Sequence, residues 1–175
     1  MPDAARLLAR LRVPLGYLFG VVAFVLAWPT RRSLLVGAIV GVLGEAIRVW
    51  AAGHLEKGRE VTTSGPYAWM RHPLYVGSSV MGAGLAIAAR NAIVAVVIFF
   101  YLLVTIAAAI RTEEAHLTTK FGRAYPEYRE GAAAPGDRRF SFERAIRNHE
   151  YRAAIGLLAA LALLALRGAL RRHGF

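Results

Sequence analysis

Two short runs of the chain gather side chains that can bind a polar ligand and handle charge. The first, from Gly65 to Gly77, holds Pro66, Tyr67, Arg71, His72, Pro73 and Tyr75. Gly65-Pro66 is a turn signal, and the proline after His72 pushes that residue toward extended geometry and favours a helix start at Pro73. An imidazole, a guanidinium and phenol rings therefore surround a turn whose exposed backbone amides and carbonyls a polar ligand could occupy. The second run carries Arg111, Glu113, Glu114, His116, Lys120, Tyr125 and Tyr128. On a helix Arg111 and Glu114 stand three apart, and Glu113 shares a face with Lys120. The adjacent carboxylates point about 100° apart, so they cannot serve one site equally.

Plainer readings exist for both runs. Tyr67, Trp69, Tyr75 and Arg71 are what an interfacial aromatic belt with a basic anchor contains. Charge runs such as Arg111 to Lys120 are commonly solvated helical faces laced with ion pairs. Glu45 resists such a reading because it lies inside an apolar run, where a carboxylate is expensive and faces a bundle interior or a cavity. Arg48, three residues on, offers to neutralise it, so a structural and a site role are both open. Several chemistries are excluded. With no cysteine there is no disulfide, thiol nucleophile or Cys-ligated metal. The five histidines, His54, His72, His116, His149 and His173, are dispersed, so no metal site is expected. No G-x-S-x-G elbow, P-loop or G-x-G-x-x-G is present.

The elements that must hold these runs are apolar stretches at Val13 to Trp28, Ser33 to Gly53, Pro73 to Ala89, Ala92 to Ile110 and Ala153 to Leu166. A bilayer core takes about 20 apolar residues per helix. The second and fourth stretches meet that length, the others need tilt or snorkelling flanks, and the last is shortest. Pro29-Thr30-Arg31-Arg32 offers no small-residue cleavage site, so the first reads as a retained span. The expected fold is all-α, a single integral membrane domain over 1–175 with about five transmembrane helices. Composition agrees: 57% of the 175 residues are hydrophobic, mean hydropathy is +0.43, and the net charge is +11. Nucleic acid is not the expected partner, because the basic residues fall between uncharged apolar runs rather than among aromatics along one face.

If all five stretches cross, 16 of the 22 Lys and Arg fall on the side of the amino terminus, of Arg48 to Arg71 and of Arg111 to Arg152. The positive-inside rule makes that side cytoplasmic, and an inner cell membrane the expected location. Both chemical runs emerge there. The opposite connections, Pro29 to Arg32 and Arg90 to Asn91, are only long enough to turn between antiparallel helices. Residues Arg111 to Phe121 keep helical composition past the fourth span, with Gly122 as a C-terminal cap, and Gly131 to Asp137 reads as a loop.

Gly65-Pro66-Tyr67, then Arg71-His72-Pro73-Leu74-Tyr75-Val76-Gly77, then Glu113-Glu114, Leu117, Phe121-Gly122, Tyr125 and Tyr128 resemble the isoprenylcysteine carboxyl methyltransferase and phospholipid methyltransferase group of integral membrane enzymes. The resemblance is strongest from Gly65 to Tyr128, within a family-like core of about 45–130, and a further helix at about 151–170 lies beyond it. It implies S-adenosylmethionine as methyl donor, with S-adenosylhomocysteine as product, bound where the two blocks meet. His72, Pro73 and Tyr75 would wall the cofactor pocket, with Tyr67 on the entering turn. Glu113 and Glu114 match the family's acidic pair, with Glu114 favoured as the residue that contacts the cofactor or orders the site. Tyr125 and Tyr128 match aromatic positions of a covering tail, and Arg111 lies where a basic residue approaches the reacting group. The catalytic candidates are thus Arg111 and Glu114.

The chemistry suits those residue types. Aromatic faces stabilise a sulfonium cation, and in-line methyl transfer to a carboxylate or thiolate depends mainly on positioning and water exclusion. An amine acceptor would need a base, for which His72, Glu113 and Glu114 are available. The expected acceptor is a lipophilic small molecule or lipid delivered through the membrane: an isoprenylcysteine-like carboxylate, a phospholipid, or a small thiol or amine. Where family tails run on to a valine and Ile-Pro, this chain has Gly131-Ala132-Ala133-Ala134-Pro135-Gly136. Two other classes compete. A sterol-reductase-like enzyme would grip the extra phosphate of NADPH, with Arg138 and Arg139 as the candidates, and a non-enzymatic membrane scaffold would use both blocks as anchors and ion pairs.

Overall fold

The computed structural model describes Gly16 and residues 18–172, and every regular element among them is helical. Helical residues 18–26 form the described part of α1. After it come α2 (Arg31–His54), a 3-10 turn (Gly65–Ala68), α3 (Pro73–Ala89), α4 (Ala92–Phe121), α5 (Ala124–Arg129), α6 (Phe142–Arg147) and α7 (Tyr151–Arg172). Of the first expected span only Gly16 and residues 18–28 are described; Arg6, Arg10, Arg12 and His173 lie outside the described residues.

Helices α2, α4 and α7 are long and apolar enough to cross a bilayer, and α3, at 17 residues, is a shorter apolar helix. The carboxy-terminal run, shortest by sequence, is carried in a helix of 22 residues. Arg167, Arg171 and Arg172 end the apolar stretch without ending the helix, since arginine is a good helix former. The 30 residues of α4 span about 45 Å at 1.5 Å each, well beyond the roughly 30 Å of hydrocarbon. Its last three turns, past Ile110, therefore project as a polar extension, and Gly122 closes them with φ 54°.

Local signals explain the boundaries. Thr30 and Ser33 form a reciprocal capping box at the start of α2. Asn91 caps α4 by accepting from the Ile93 and Val94 amides. Its side chain also donates to Leu26 O at 2.8 Å, and Trp28 N donates to Ala89 O at 2.9 Å, so the two short turns are tied together at one end of the bundle.

The most intimate packing is α2 on α3, and it runs along glycines. A methyl carbon built on Gly84 would stand 2.5 Å from the Gly41 nitrogen, and one on Gly44 would stand 2.5 Å from the Met81 nitrogen. Across the same seam such a carbon on Gly37 would stand 2.5 Å from Gly84 O, and one on Gly77 would stand 2.7 Å from Gly44 O. Between lipid-facing helices there is no hydrophobic gain from burying apolar side chains, so close backbone approach and van der Waals contact supply the cohesion. Helix α4 lies more loosely, with Val94, near its first turn, its single buried residue.

Candidate functional site

At the end of the bundle away from the short turns, His72 and Pro73 start α3. Pro73 is fully buried at the first helical position, and its fixed φ suits a helix start. His72 is the N-cap, with its ring aimed across to the α4 extension: Nε2 lies 3.1 Å from Glu114 Oε1. One turn further along α3, Tyr75 donates to Glu113 Oε2 at 2.8 Å. Both adjacent carboxylates therefore reach the α3 entrance, each through its own partner. Their roughly 100° separation is what lets them divide the work.

The preceding turn is fixed by Gly65, whose φ of +57° lies in the left-handed region and whose Cα faces the His54 ring with no room for a Cβ. It delivers Tyr67, buried, whose carbonyl accepts from Tyr128 Oη at 2.7 Å. Helix α5 thus folds back over the turn and brings Tyr125 and Tyr128 with it. The Tyr125 hydroxyl is buried without a hydrogen bond of ordinary geometry, yet it lies close enough to Glu114 for each to bear on the other's ionisation. Burial first, then the Glu114 charge, pushes the Tyr125 phenol up to about 12. Burial does the same to Tyr128, also to about 12, and raises Tyr67 as well. All three are neutral donors at physiological pH.

These residues border one cavity of about 1310 Å³. Its polar end is lined by Tyr67, Arg71, His72, Pro73, Tyr75, Glu113, His116, Tyr125 and Tyr128. Its other end runs along one face of α4, past Val96, Phe100, Tyr101, Val104 and Ala108, with Phe19 of α1 opposite. Of the residues expected from sequence, Arg111 also lines the cavity, but it forms no ion pair with Glu114 or with any other described carboxylate. Glu114 itself is not in the wall; it stands behind His72 and holds it. Glu113 is the carboxylate facing the space.

Lys57, Glu60, Val61 and Thr62, which also line the cavity, carry no motif, and neither does the α4 face, because in a helix apolar on every side no periodicity marks the inward stripe. Arg48 pairs with Glu45 at 3.9 Å, and it also lines the cavity and bonds more closely to Glu150 of the loop before α7 (2.6 Å) and to Ser78 (2.5 Å). Arg138 is paired with Glu60 at 2.6 Å and donates to His54 O; neither it nor Arg139 lines the cavity. Among the described residues no three His, Asp or Glu side chains gather as metal ligands would.

A strap after α5 closes the α2 end of the site. Asn148 donates to Ala52 O and Leu55 O, Arg144 to Gly53 O, and Arg138 to His54 O, satisfying carbonyls that a helix terminus leaves open. Arg144 is further paired with Glu56 at 2.8 Å, and that hydrogen bond holds the carboxyl below its ordinary range.

A cobalt-zinc-cadmium resistance protein, CzcN, of Cupriavidus metallidurans is 32% identical over 107 residues, covering 60% of this chain and 48% of that one. The protein-S-isoprenylcysteine O-methyltransferase of Schizosaccharomyces pombe is 31% identical over 99 residues (57% of this chain, 40% of that one). Its counterpart in Saccharomyces cerevisiae is 29% identical over 112 residues (57% and 47%). The chain spans less than half the length of these relatives. No solved structure matches it. The phospholipid methyltransferase family model matches residues 15–124, which hold α2, the 3-10 turn, α3, α4 and the whole His72, Tyr75, Glu113 and Glu114 cluster. With well over half of its length matched, the chain belongs to the phospholipid methyltransferase family, as an integral membrane protein.

Proposed function

We propose that the chain is a membrane methyltransferase that takes a methyl group from S-adenosylmethionine and passes it to a lipophilic acceptor. The observation that carries this reading is the single cavity with a charged, aromatic end and an apolar end. At about 1310 Å³ it exceeds the usual 300–1,000 Å³ of a pocket for one drug-sized ligand, which leaves space for donor and acceptor together. The residues at the polar end fit the donor. Phenol rings of Tyr67, Tyr75 and Tyr128 suit a sulfonium cation. The Glu113 carboxylate suits an ammonium group, and Arg71 or Arg111 a carboxylate.

S-adenosylmethionine supplies an activated methyl group for in-line displacement. The chain's own work is then to align and to keep water out. Glu113 fixes Tyr75, Glu114 fixes His72, and the pair of bonds sets the distance between the α3 entrance and the α4 extension. Arg111, in the wall and without an ion-pair partner among the described residues, would attract an acceptor carrying negative charge. The apolar α4 face would receive the acceptor's hydrocarbon portion, and the excess of Lys and Arg on the side of the polar end supports reading it as the cytoplasmic face.

The test is titration of detergent-purified protein with S-adenosylhomocysteine, with NADPH as the comparison ligand. Saturable binding of the former is expected, weakened at least tenfold by Glu113→Gln and by His72→Ala. A folded sample that binds NADPH, or neither ligand, would sink the proposal.

A further inference from the structure

A second cavity, of about 470 Å³, lies at the opposite end of the bundle, where the two short turns meet the last turns of α7. Arg90, Arg167, Arg171 and Arg172 line it together with Trp28 and Thr30. Four arginines thus line one small space, where burial first and then the nearby Arg167 disfavour the charge on Arg171, and an anion among them would relieve the repulsion. None of the four makes an ion pair with a carboxylate among the described residues. The reason is visible in the sequence: from Trp28 to Arg32, from Arg90 to Asn91 and from Arg167 to Arg172 there is no Asp or Glu.

The arginines are nevertheless held in place. Arg171 stacks on the Trp28 ring, 3.5 Å from its centroid, and Arg167 donates to Val25 O at 3.3 Å. Gly168 between them packs against Pro29, which draws this end of α7 onto the turn. The Nε atoms of both Arg167 and Arg171 are buried with no hydrogen-bond partner among the described residues. Such donors call for an acceptor. Arg90 adds a further sign. It ends α3 in the left-handed conformation, at φ 49°, where glycine or asparagine is the ordinary choice.

We propose that this cavity binds a phosphate oxyanion, and that its source is the headgroup of an anionic phospholipid. Guanidinium forks match phosphate oxygens bidentately. The position also favours a lipid over a free ion: the cavity sits where α7 leaves its apolar stretch, beside an exposed Trp28 at the level where indole rings meet headgroups. A basic recess between helices at that depth is suited to the phosphate of an anionic headgroup, with the acyl chains lying along the apolar surface of α7. The site is independent of the methyltransferase reading, since it shares no residue with the larger cavity.

The test uses the whole chain in neutral detergent micelles doped with phosphatidylglycerol, with phosphatidylcholine, or with no lipid but inorganic phosphate added. Melting temperature is read for the wild type, for the double variant Arg90→Asn/Arg172→Gln, and for the control Arg31→Gln/Arg32→Gln, which removes the same charge from the same end outside the cavity. Asparagine suits the left-handed position, and among the described residues neither altered side chain bonds to the protein, so the double variant is expected to fold. Phosphatidylglycerol near saturation is expected to raise the wild-type melting temperature by roughly 5 °C over phosphatidylcholine. The double variant should lose most of that rise and the control should keep it. Equal stabilisation by both lipids, or an equal loss in the control, overturns the site. Inorganic phosphate alone producing the full rise overturns the headgroup as its source.

Discussion

Glu113 and Glu114 show how one helical step separates two tasks. Glu113 borders the cavity through Tyr75, whereas Glu114 stands behind and positions His72. Replacing Glu113 by Gln should therefore raise the dissociation constant for S-adenosylhomocysteine at least tenfold while leaving the melting temperature within about 1 °C, as surface changes do. Glu114→Gln should likewise raise the dissociation constant but also lower the melting temperature, since it releases His72 from the start of α3. Tyr128 offers a pH signature. Its phenol is held at about 12, above the ordinary 10, so the folded state keeps the proton longer than the unfolded chain. That contribution is complete below pH 10 and is lost as pH rises toward 12. Tyr128→Phe should cost about 1 kcal/mol at neutral pH through its bond to Tyr67 O. Stability measured by denaturant titration should then fall less steeply between pH 10 and 12 than in the wild type. The residue types of this cluster could be read from sequence. Their pairing could not, because which carboxylate meets which partner depends on how α3 and α4 lie against each other.

Among the elements, the α2–α3 seam has the sharpest consequence for stability. Gly84→Ala places a carbon 2.5 Å from the Gly41 nitrogen and must push the helices apart. A loss of about 1–3 kcal/mol is expected from such overpacking, read as a lower melting temperature in detergent. Gly156→Ala in α7 meets nothing within 4 Å and should be neutral or slightly stabilising. The seam was present in the sequence as Gly37, Gly41, Gly44, Gly77 and Gly84, yet small residues inside an apolar run leave the span signal unchanged and so attract no notice. Helix ends were more legible. Pro73 and Gly122 stand where a start and a stop were expected, since each acts through its own backbone rather than through a distant partner.

For the molecule as a whole, the short turns and the polar extensions lie at opposite ends of the bundle, so topology can be tested directly. The chain has no cysteine. Single replacements Arg90→Cys and Ala133→Cys should react with a membrane-impermeant maleimide from opposite sides of sealed vesicles, and labelling of both from one side would refute the arrangement. The glycine seam has one more effect at this scale. Because α2 and α3 meet backbone to backbone, they behave as a rigid plate. Helix α4 joins it through Val94 near one end, through Ile98 and Leu102 against Gly82, and, some thirty ångströms beyond Val94, through the two side-chain bonds of Glu113 and Glu114. If the apolar wall receives a hydrocarbon acceptor as proposed, loosening those two bonds should change how fast such a molecule exchanges with the surrounding lipid.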